Sequence, residues 1–246
     1  MSIPVDAVPL PDIVMHIAAG RSVTPAWANE IGGLTFQVGD GAGREFVKVA
    51  PPHPEADLHC EAAKLRWAAR YLTVPHVLGV GRDGALAWLH TSGLSGRSAV
   101  DPHWMAHPRP AVRAIATGLR AMHDRLPVDS CPYTWSVPSR LSCLSESASR
   151  GLPEPPPVDK LVVCHGDACA PNTLIDDDGQ WCGHVDFGDL GIADRWADLA
   201  VAEWSLGFNY GGQWRTDFFE AYGIEPDEER LAYYLALWNA GDISSR

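Results

Sequence analysis

A chain of 246 residues is longer than the usual single domain and can bury a sizeable core. Hydrophobic residues at 46% and charged residues at 20% exclude an extended disordered protein. A formal net charge of −12 argues against nucleic acid and anionic membrane as partners and favours cationic ligands, although acidity for solubility alone explains the same number.

The N-terminus lacks a basic region followed by an apolar core, and no run of eighteen apolar residues occurs, so a cytoplasmic protein is expected. The six cysteines, Cys60, Cys131, Cys143, Cys164, Cys169 and Cys182, show neither a C-x-x-C pair nor zinc-ligand spacing and read as reduced thiols. The oligomeric state is not legible.

A short helix is predicted to start near Pro11, with a strand as the alternative. Three antiparallel strands follow: Trp27 to Glu30, Leu34 to Val38 and Glu45 to Val49, with turns at Gly32-Gly33 and Gly39 to Gly43. The first turn carries no G-x-G-x-x-G, so it serves equally as a phosphate cover or a plain hairpin. Lys48, central in the third strand, can reach the α and β phosphates of a nucleotide or be an ordinary edge-strand lysine. Asp57 to Tyr71 reads as a helix that can turn Glu61 toward Lys48 to form an ion pair, and this order of the two favours the nucleotide reading.

Val74 to Val80 and Ala85 to His90 flank an Asp83-Gly84 turn. The small, polar stretch Thr91 to Gly96 marks a lobe boundary, giving residues 1–92 as a nucleotide-binding lobe and 93–246 as a catalytic and acceptor-binding lobe. The backbone around Thr91 and Gly93 is a candidate for binding a purine edge, or is simply a hinge. Pro110 to Arg125 is an amphipathic helix carrying Val112, Ile115, Leu119 and Met122, and His123 at its polar end reads as a cap or surface histidine. Between Leu126 and Val158, rich in proline and serine, no chemistry is assigned.

The stretch His165 to Asn172 lies between two short strands, Leu161 to Cys164 and Thr173 to Ile175. A turn at Asp176 to Gly179 and a returning strand, Gln180 to Val185, bring Asp186 back beside Asn172. Phosphoryl transfer needs a group that orients an acceptor hydroxyl and oxygen ligands that hold divalent metal against the phosphates. Asp167 suits the first task, taking the hydroxyl proton late in the reaction. Asn172 and Asp186 suit the second, because both offer the hard oxygen that magnesium prefers. H-x-D-x-x-x-x-N is also the spacing of the protein-kinase catalytic loop, and Asp186-Phe187-Gly188 is the kinase metal-binding triplet. Leu190 to Leu199 is read as the start of a helix running to Trp204, with Asp198 either holding the His165 loop through backbone hydrogen bonds or serving as a first-turn carboxylate. Leu231 to Trp238 forms a final buried helix.

His165-Gly166-Asp167 with Asn172, then Val185-Asp186-Phe187-Gly188, then Gly191 to Ala200, closely resemble bacterial aminoglycoside O-phosphotransferases. The likeness extends through Lys48 and Glu61, Val74 to Val77, Gly96, Leu119 to His123, Cys131-Pro132-Tyr133 and Ser139-Arg140-Leu141, nearly the whole chain. It implies an α+β, two-lobed protein-kinase-like fold with an antiparallel-sheet N-lobe and a mostly helical C-lobe. By this resemblance Asp167 is the catalytic carboxylate, Asn172 and Asp186 hold Mg2+, and Lys48 paired with Glu61 positions ATP or GTP. The sub-branch it looks most like phosphorylates the 3'-hydroxyl of kanamycin and neomycin.

Three departures stand out. The family's acidic insertion ahead of His-Gly-Asp is shortened to a proline-rich segment carrying Glu146, Glu154 and Asp159. Asp189 stands where arginine is common, and Trp238 to Asp242, leading to Ile243 and Arg246, replace an acidic, aromatic tail. The expected activity is transfer of a γ-phosphate to a hydroxyl of an aminoglycoside-like cationic small molecule, with Asp189, Asp194 and Asp198 adding negative potential around the centre. The alternatives are a kinase of another alcohol, whether sugar, amino alcohol or macrolide, and a nucleotide-binding regulatory module without turnover.

Overall fold

The computed structural model describes residues 8–29, 31–53 and 56–243, with side chains through 240, so Glu30 and Arg246 fall outside it. The chain divides into two compact units, the first holding the described residues up to Arg70 together with Val74–Ser95, the second Tyr71–Thr73 and the residues from Gly96 onward. The division therefore falls after Ser95, three positions beyond the predicted boundary. The reason is local: Gly93 N–H donates to Arg44 O at 2.8 Å, and the Arg44 guanidinium bonds Leu94 O, so both residues stay with the first unit.

The first unit opens with α1 (Asp12–Ala18), with Pro11 at its N-cap, where the missing N–H costs nothing. A five-stranded antiparallel sheet follows, built from β1 (Val23–Ala28), β2 (Leu34–Val38), β3 (Glu45–Ala50), β4 (Val77–Asp83) and β5 (Leu86–Ser92) in the order β1-β2-β3-β5-β4. Alternation along β2 and β3 turns Phe36, Val38, Val47 and Val49 inward against Val14 and Ala18 of α1. Helix α2 (Leu58–Ala68) packs on β4 and β5, and the Asp57 carboxylate caps it by accepting the His59 and Cys60 N–H groups at 3.1 and 2.9 Å.

The second unit contains β6 (Arg97–Ser98), α3 (Pro102–Ala106), α4 (Pro108–Arg125), α5 (Val137–Cys143), α6 (Glu146–Arg150), β7 (Leu161–Cys164), β8 (Thr173–Ile175), β9 (Trp181–His184), β10 (Gly191–Asp194), α7 (Trp196–Tyr210), α8 (Arg215–Tyr222) and α9 (Glu228–Ile243). Val112, Ile115, Leu119 and Met122 of α4 are fully buried, as their helical spacing requires. Helices α4, α7, α8 and α9 pack on one another around a core that includes Trp135, Phe218, Tyr233 and Tyr234. Strands β8 and β9 form the expected hairpin, with β6 on the outer side of β8.

One predicted element changes type. Gly191–Asp194 is not the start of a helix but strand β10, antiparallel to β7 with Gly191 opposite Cys164. A short apolar run supports either structure, and long-range pairing with β7 decides it. Helix α7 begins only at Trp196, whose N–H donates to Asp194 Oδ1 at 3.4 Å.

Candidate active site

The loop from His165 to Asn172 joins β7 to β8 and is hung on helix α7. Asp198 is fully buried; its Oδ2 accepts the His165 N–H at 2.6 Å, and its Oδ1 accepts the Gly166 N–H at 2.9 Å. Farther along, Ala170 N–H donates to Ser205 Oγ at 2.9 Å. Gly166 has φ +84°, and a Cβ there would meet Asp189 O at 2.3 Å, so no other residue fits the turn.

His165 is fixed from both sides of its ring. Nε2 lies 2.9 Å from Val185 O, which can only accept, so Nε2 carries the proton, and Nδ1 receives the Asp167 N–H at 3.3 Å. The imidazole thus ties the loop to the segment leading into Asp186. Val185 N–H in turn donates to Asn172 O at 3.0 Å, which brings Asp186 beside Asn172.

Asn172 Nδ2 donates to Asp167 O at 2.9 Å and to Asp167 Oδ2 at 3.0 Å. Two oxygens on that side settle the amide orientation and leave Asn172 Oδ1 as an uncommitted hard oxygen. Asp167 Oδ1 is buried with no N–H or O–H donor on it, the Cys169 thiol being the weak donor beside the carboxylate. Burial first, and then the neighbouring Asp186 and Asp189 charges, push the Asp167 carboxyl above its ordinary range, while His165 and the Cys169 thiol pull the other way. Asp186 adopts φ 65°, the left-handed region that aspartate tolerates at a cost of about 1 kcal/mol, and such strain concentrates at functional positions. An amide oxygen and a carboxylate at this point suit Mg2+, which takes hard oxygen donors and keeps several waters.

Asp198 itself rests on a deeper layer that the sequence reading missed. His123 is buried, with Nε2 2.9 Å from Asp198 Oδ2 and Nδ1 2.8 Å from the Tyr222 hydroxyl. It is not a surface or capping histidine. The signal was present, because His123 lies four residues after Leu119 and so falls on the buried stripe of α4. Burial alone would raise the Asp198 carboxyl, but the hydrogen bonds from His123 and the Gly166 amide hold it below its usual value.

In the first unit, Lys48 Nζ donates to both Glu61 carboxylate oxygens at 2.9 Å, and Glu61 is almost fully buried. The expected ion pair is therefore formed. Thr91 is buried in β5 opposite Phe46 of β3. The Gly93 amide donates to Arg44 O at 2.8 Å.

Of the three carboxylates expected to add negative potential, Asp194 and Asp198 are buried, so neither is exposed to contact a cation directly. Asp189 is half exposed and lies 3.6 Å from Arg140, which offsets its charge.

Comparison with known proteins agrees with this arrangement. A model of the phosphotransferase enzyme family matches residues 28–154 and 147–234. The chain belongs to the aminoglycoside O-phosphotransferase family. An aminoglycoside 3'-phosphotransferase of Streptomyces fradiae is 34% identical over 226 residues, covering 78% of this chain and 84% of the relative. A streptomycin 3''-kinase of Streptomyces griseus is 30% identical, covering 85% and 89%. Among solved structures, an aminoglycoside-3'-phosphotransferase of type VIII superposes with a TM-score of 0.75 at 27% identity, over 90% of this chain and 94% of the other. The aminoglycoside phosphotransferase APH(3'')-Id of Streptomyces rimosus, in complex with ADP and streptomycin, gives 0.73 at 28% identity, over 94% and 99%. This phosphotransferase thus has the two-lobed α+β kinase-like fold, and its Asp167 loop lies on a scaffold shared with small-molecule kinases. Among its described residues, no helix is long and apolar enough to cross a membrane.

Proposed function

We propose that the enzyme transfers the γ-phosphoryl group of ATP or GTP to a hydroxyl of an aminoglycoside-class cationic acceptor, in the cytoplasm. The observation that carries this is Asp167, with one carboxylate oxygen held by Asn172 and the other buried without an N–H or O–H donor. A buried acceptor atom left unpaired costs about 1 to 3 kcal/mol, and an acceptor hydroxyl donating to Oδ1 removes that cost. The hydroxyl oxygen then bonds to the γ-phosphorus as the bond to the β–γ bridging oxygen breaks, and its proton passes to Asp167. A raised carboxyl affinity for the proton favours that transfer.

Asn172 Oδ1 and the Asp186 carboxylate would hold Mg2+, which when bound neutralises charge on the triphosphate. Lys48, oriented by Glu61, contacts the α and β phosphates in this reading. Thr91 and Gly93 shape the segment near the purine through packing rather than through the Gly93 amide.

A second reading keeps the chemistry and changes the acceptor to another small alcohol. It is favoured by the shortened segment ahead of β7, where Glu146 pairs with Arg150 and Asp159 with Arg195, so that two of its three carboxylates are already occupied. Nucleotide consumption measured with kanamycin-, neomycin- and streptomycin-type compounds, on the wild type and Asp167→Asn, separates the readings. Acceptor-dependent turnover lost in the variant is expected. A panel that stimulates nothing overturns the aminoglycoside class.

A further inference from the structure

Asp189 follows directly on Asp186-Phe187-Gly188 and packs against the turn that leads into Asp167. The position that a Cβ on Gly166 would take lies 2.3 Å from Asp189 O and 2.7 Å from Asp189 Cβ. The half-exposed Asp189 carboxylate therefore adds a third negative charge to those of Asp167 and Asp186, where the proposed reaction has to receive an anionic triphosphate. Like charges gathered at one point repel that anion, and more strongly where burial lowers the local dielectric.

The counter-charge comes from α5. The guanidinium carbon of Arg140 lies 4.8 Å from the Trp135 ring centroid. Trp135 is itself buried, and its backbone N–H donates to Ile192 O of β10 at 2.9 Å. Held in this way, Arg140 Nη1 stands 3.6 Å from Asp189 Oδ1, close enough to offset its charge and too far for a hydrogen bond. Arg140 Nε is buried and has no acceptor among the described residues. An unpaired, desolvated N–H is destabilising, and an ion pair with a half-exposed carboxylate restores little of that stability. Folding stability therefore does not account for this arrangement.

We propose that Arg140 is a positioning residue for the nucleotide: by neutralising Asp189 it lets the Mg2+-bound triphosphate settle at Asn172 and Asp186, beside Asp167. Arg140 acts through Asp189 and makes no phosphate contact of its own. The inference rests on the roles given above to Asp167, Asn172 and Asp186, and it is independent of which alcohol accepts the phosphoryl group.

Calorimetric titration with ATP, and with GTP in parallel, in the presence of Mg2+ tests this without any acceptor. The proteins are the wild type, Arg140→Gln, which keeps most of the stem on Trp135, Asp189→Asn and the double variant, each with a thermal melt. Arg140→Gln should weaken nucleotide affinity about tenfold, and adding Asp189→Asn should restore it although no contact of Arg140 is rebuilt. The loss in Arg140→Gln should also shrink between about 0.05 and 0.5 M salt, because Asp189 is half exposed. Asp189→Asn alone leaves the arginine in excess and should tighten binding, a result that stands even if Arg140→Gln folds poorly. Unchanged affinity in Arg140→Gln overturns the proposal. So does a loss that Asp189→Asn leaves in place, which would assign Arg140 to bracing Trp135, and so does weaker binding in Asp189→Asn alone. A wild type that binds neither nucleotide with Mg2+ defeats the nucleotide reading and this inference together, whereas an acceptor panel that stimulates nothing leaves the titration standing.

Discussion

Asp198 accepts the backbone N–H of His165 at 2.6 Å, and it does so with the oxygen that also faces His123 Nε2. The His165–Asn172 loop is thereby positioned from helix α7 rather than by its own turns. Ser205 repeats the arrangement seven positions later, two helical turns along the same face, by holding the Ala170 amide. Asp167 stands between these two suspension points. Its geometry therefore depends on the rigidity of α7, and α7 is braced by α8 and α9 behind it.

Asp198→Asn should lower both stability and turnover. Asparagine can offer only one oxygen to two amides and turns an N–H group toward the other, so a buried network is broken and about 3 kcal/mol is lost. Because the folded-state carboxyl is held below its usual range, its stabilisation is present above the unfolded value of about 4 and is lost as pH falls through the folded value. Urea denaturation should therefore show a large gap between wild type and variant at pH 7 that narrows toward pH 3. A gap independent of pH would mean that the charge is not what holds the loop.

Asp167→Asn should reduce kcat by about 10²- to 10⁴-fold while shifting nucleotide KM little, since in the proposed role the residue acts on the acceptor hydroxyl. Asp186→Ala should do more, weakening both turnover and Mg2+-dependent nucleotide binding. Nucleotide titrations at several Mg2+ concentrations distinguish the two. Near-normal turnover in Asp167→Asn would remove it from the chemistry.

Much of this centre is legible in the sequence because its parts are local. The strand-loop-strand unit from Leu161 to Val185, the return of Asp186 beside Asn172, and the Lys48–Glu61 order all follow from short-range pattern and turn chemistry. What escapes is long-range. Strand β10 exists because Gly191–Asp194 pairs with β7, about thirty residues away, and no local preference encodes that partner. The buried His123–Tyr222 link spans 99 residues, and the charge of Asp194 reads as functional in the sequence although the fold buries it. The Gly93 amide is likewise committed to Arg44, a link across about fifty residues that no local pattern encodes.

Lys48 and Glu61 should behave as one unit toward the nucleotide. Lys48→Ala removes the phosphate contact directly, and Glu61→Ala removes it by freeing the lysine to move, so each should raise nucleotide KM about tenfold. The double variant should then cost clearly less than the sum of the singles. Glu61 is nearly buried, so a thermal melt accompanies the cycle to separate a folding defect from a binding one. Strict additivity would show that the ion pair has no functional coupling.

The acceptor should be recognised with a smaller electrostatic share than a carboxylate-lined site would give. Asp194 and Asp198 are buried, Asp189 lies close to Arg140, and Glu146 and Asp159 are paired, so few free carboxylates remain to converge on a polycation. Each charge-assisted hydrogen bond not made is worth about 1.5 to 3 kcal/mol, and two such losses weaken binding by roughly two powers of ten or more. Kanamycin-type compounds should therefore be phosphorylated detectably but inefficiently. The net charge of −12 still concentrates cations near the surface, so kcat/KM should fall as salt rises. An assay of kcat/KM from about 0.05 to 0.5 M salt reads the decline. High efficiency on kanamycin at low salt would show that carboxylates converge on the acceptor after all.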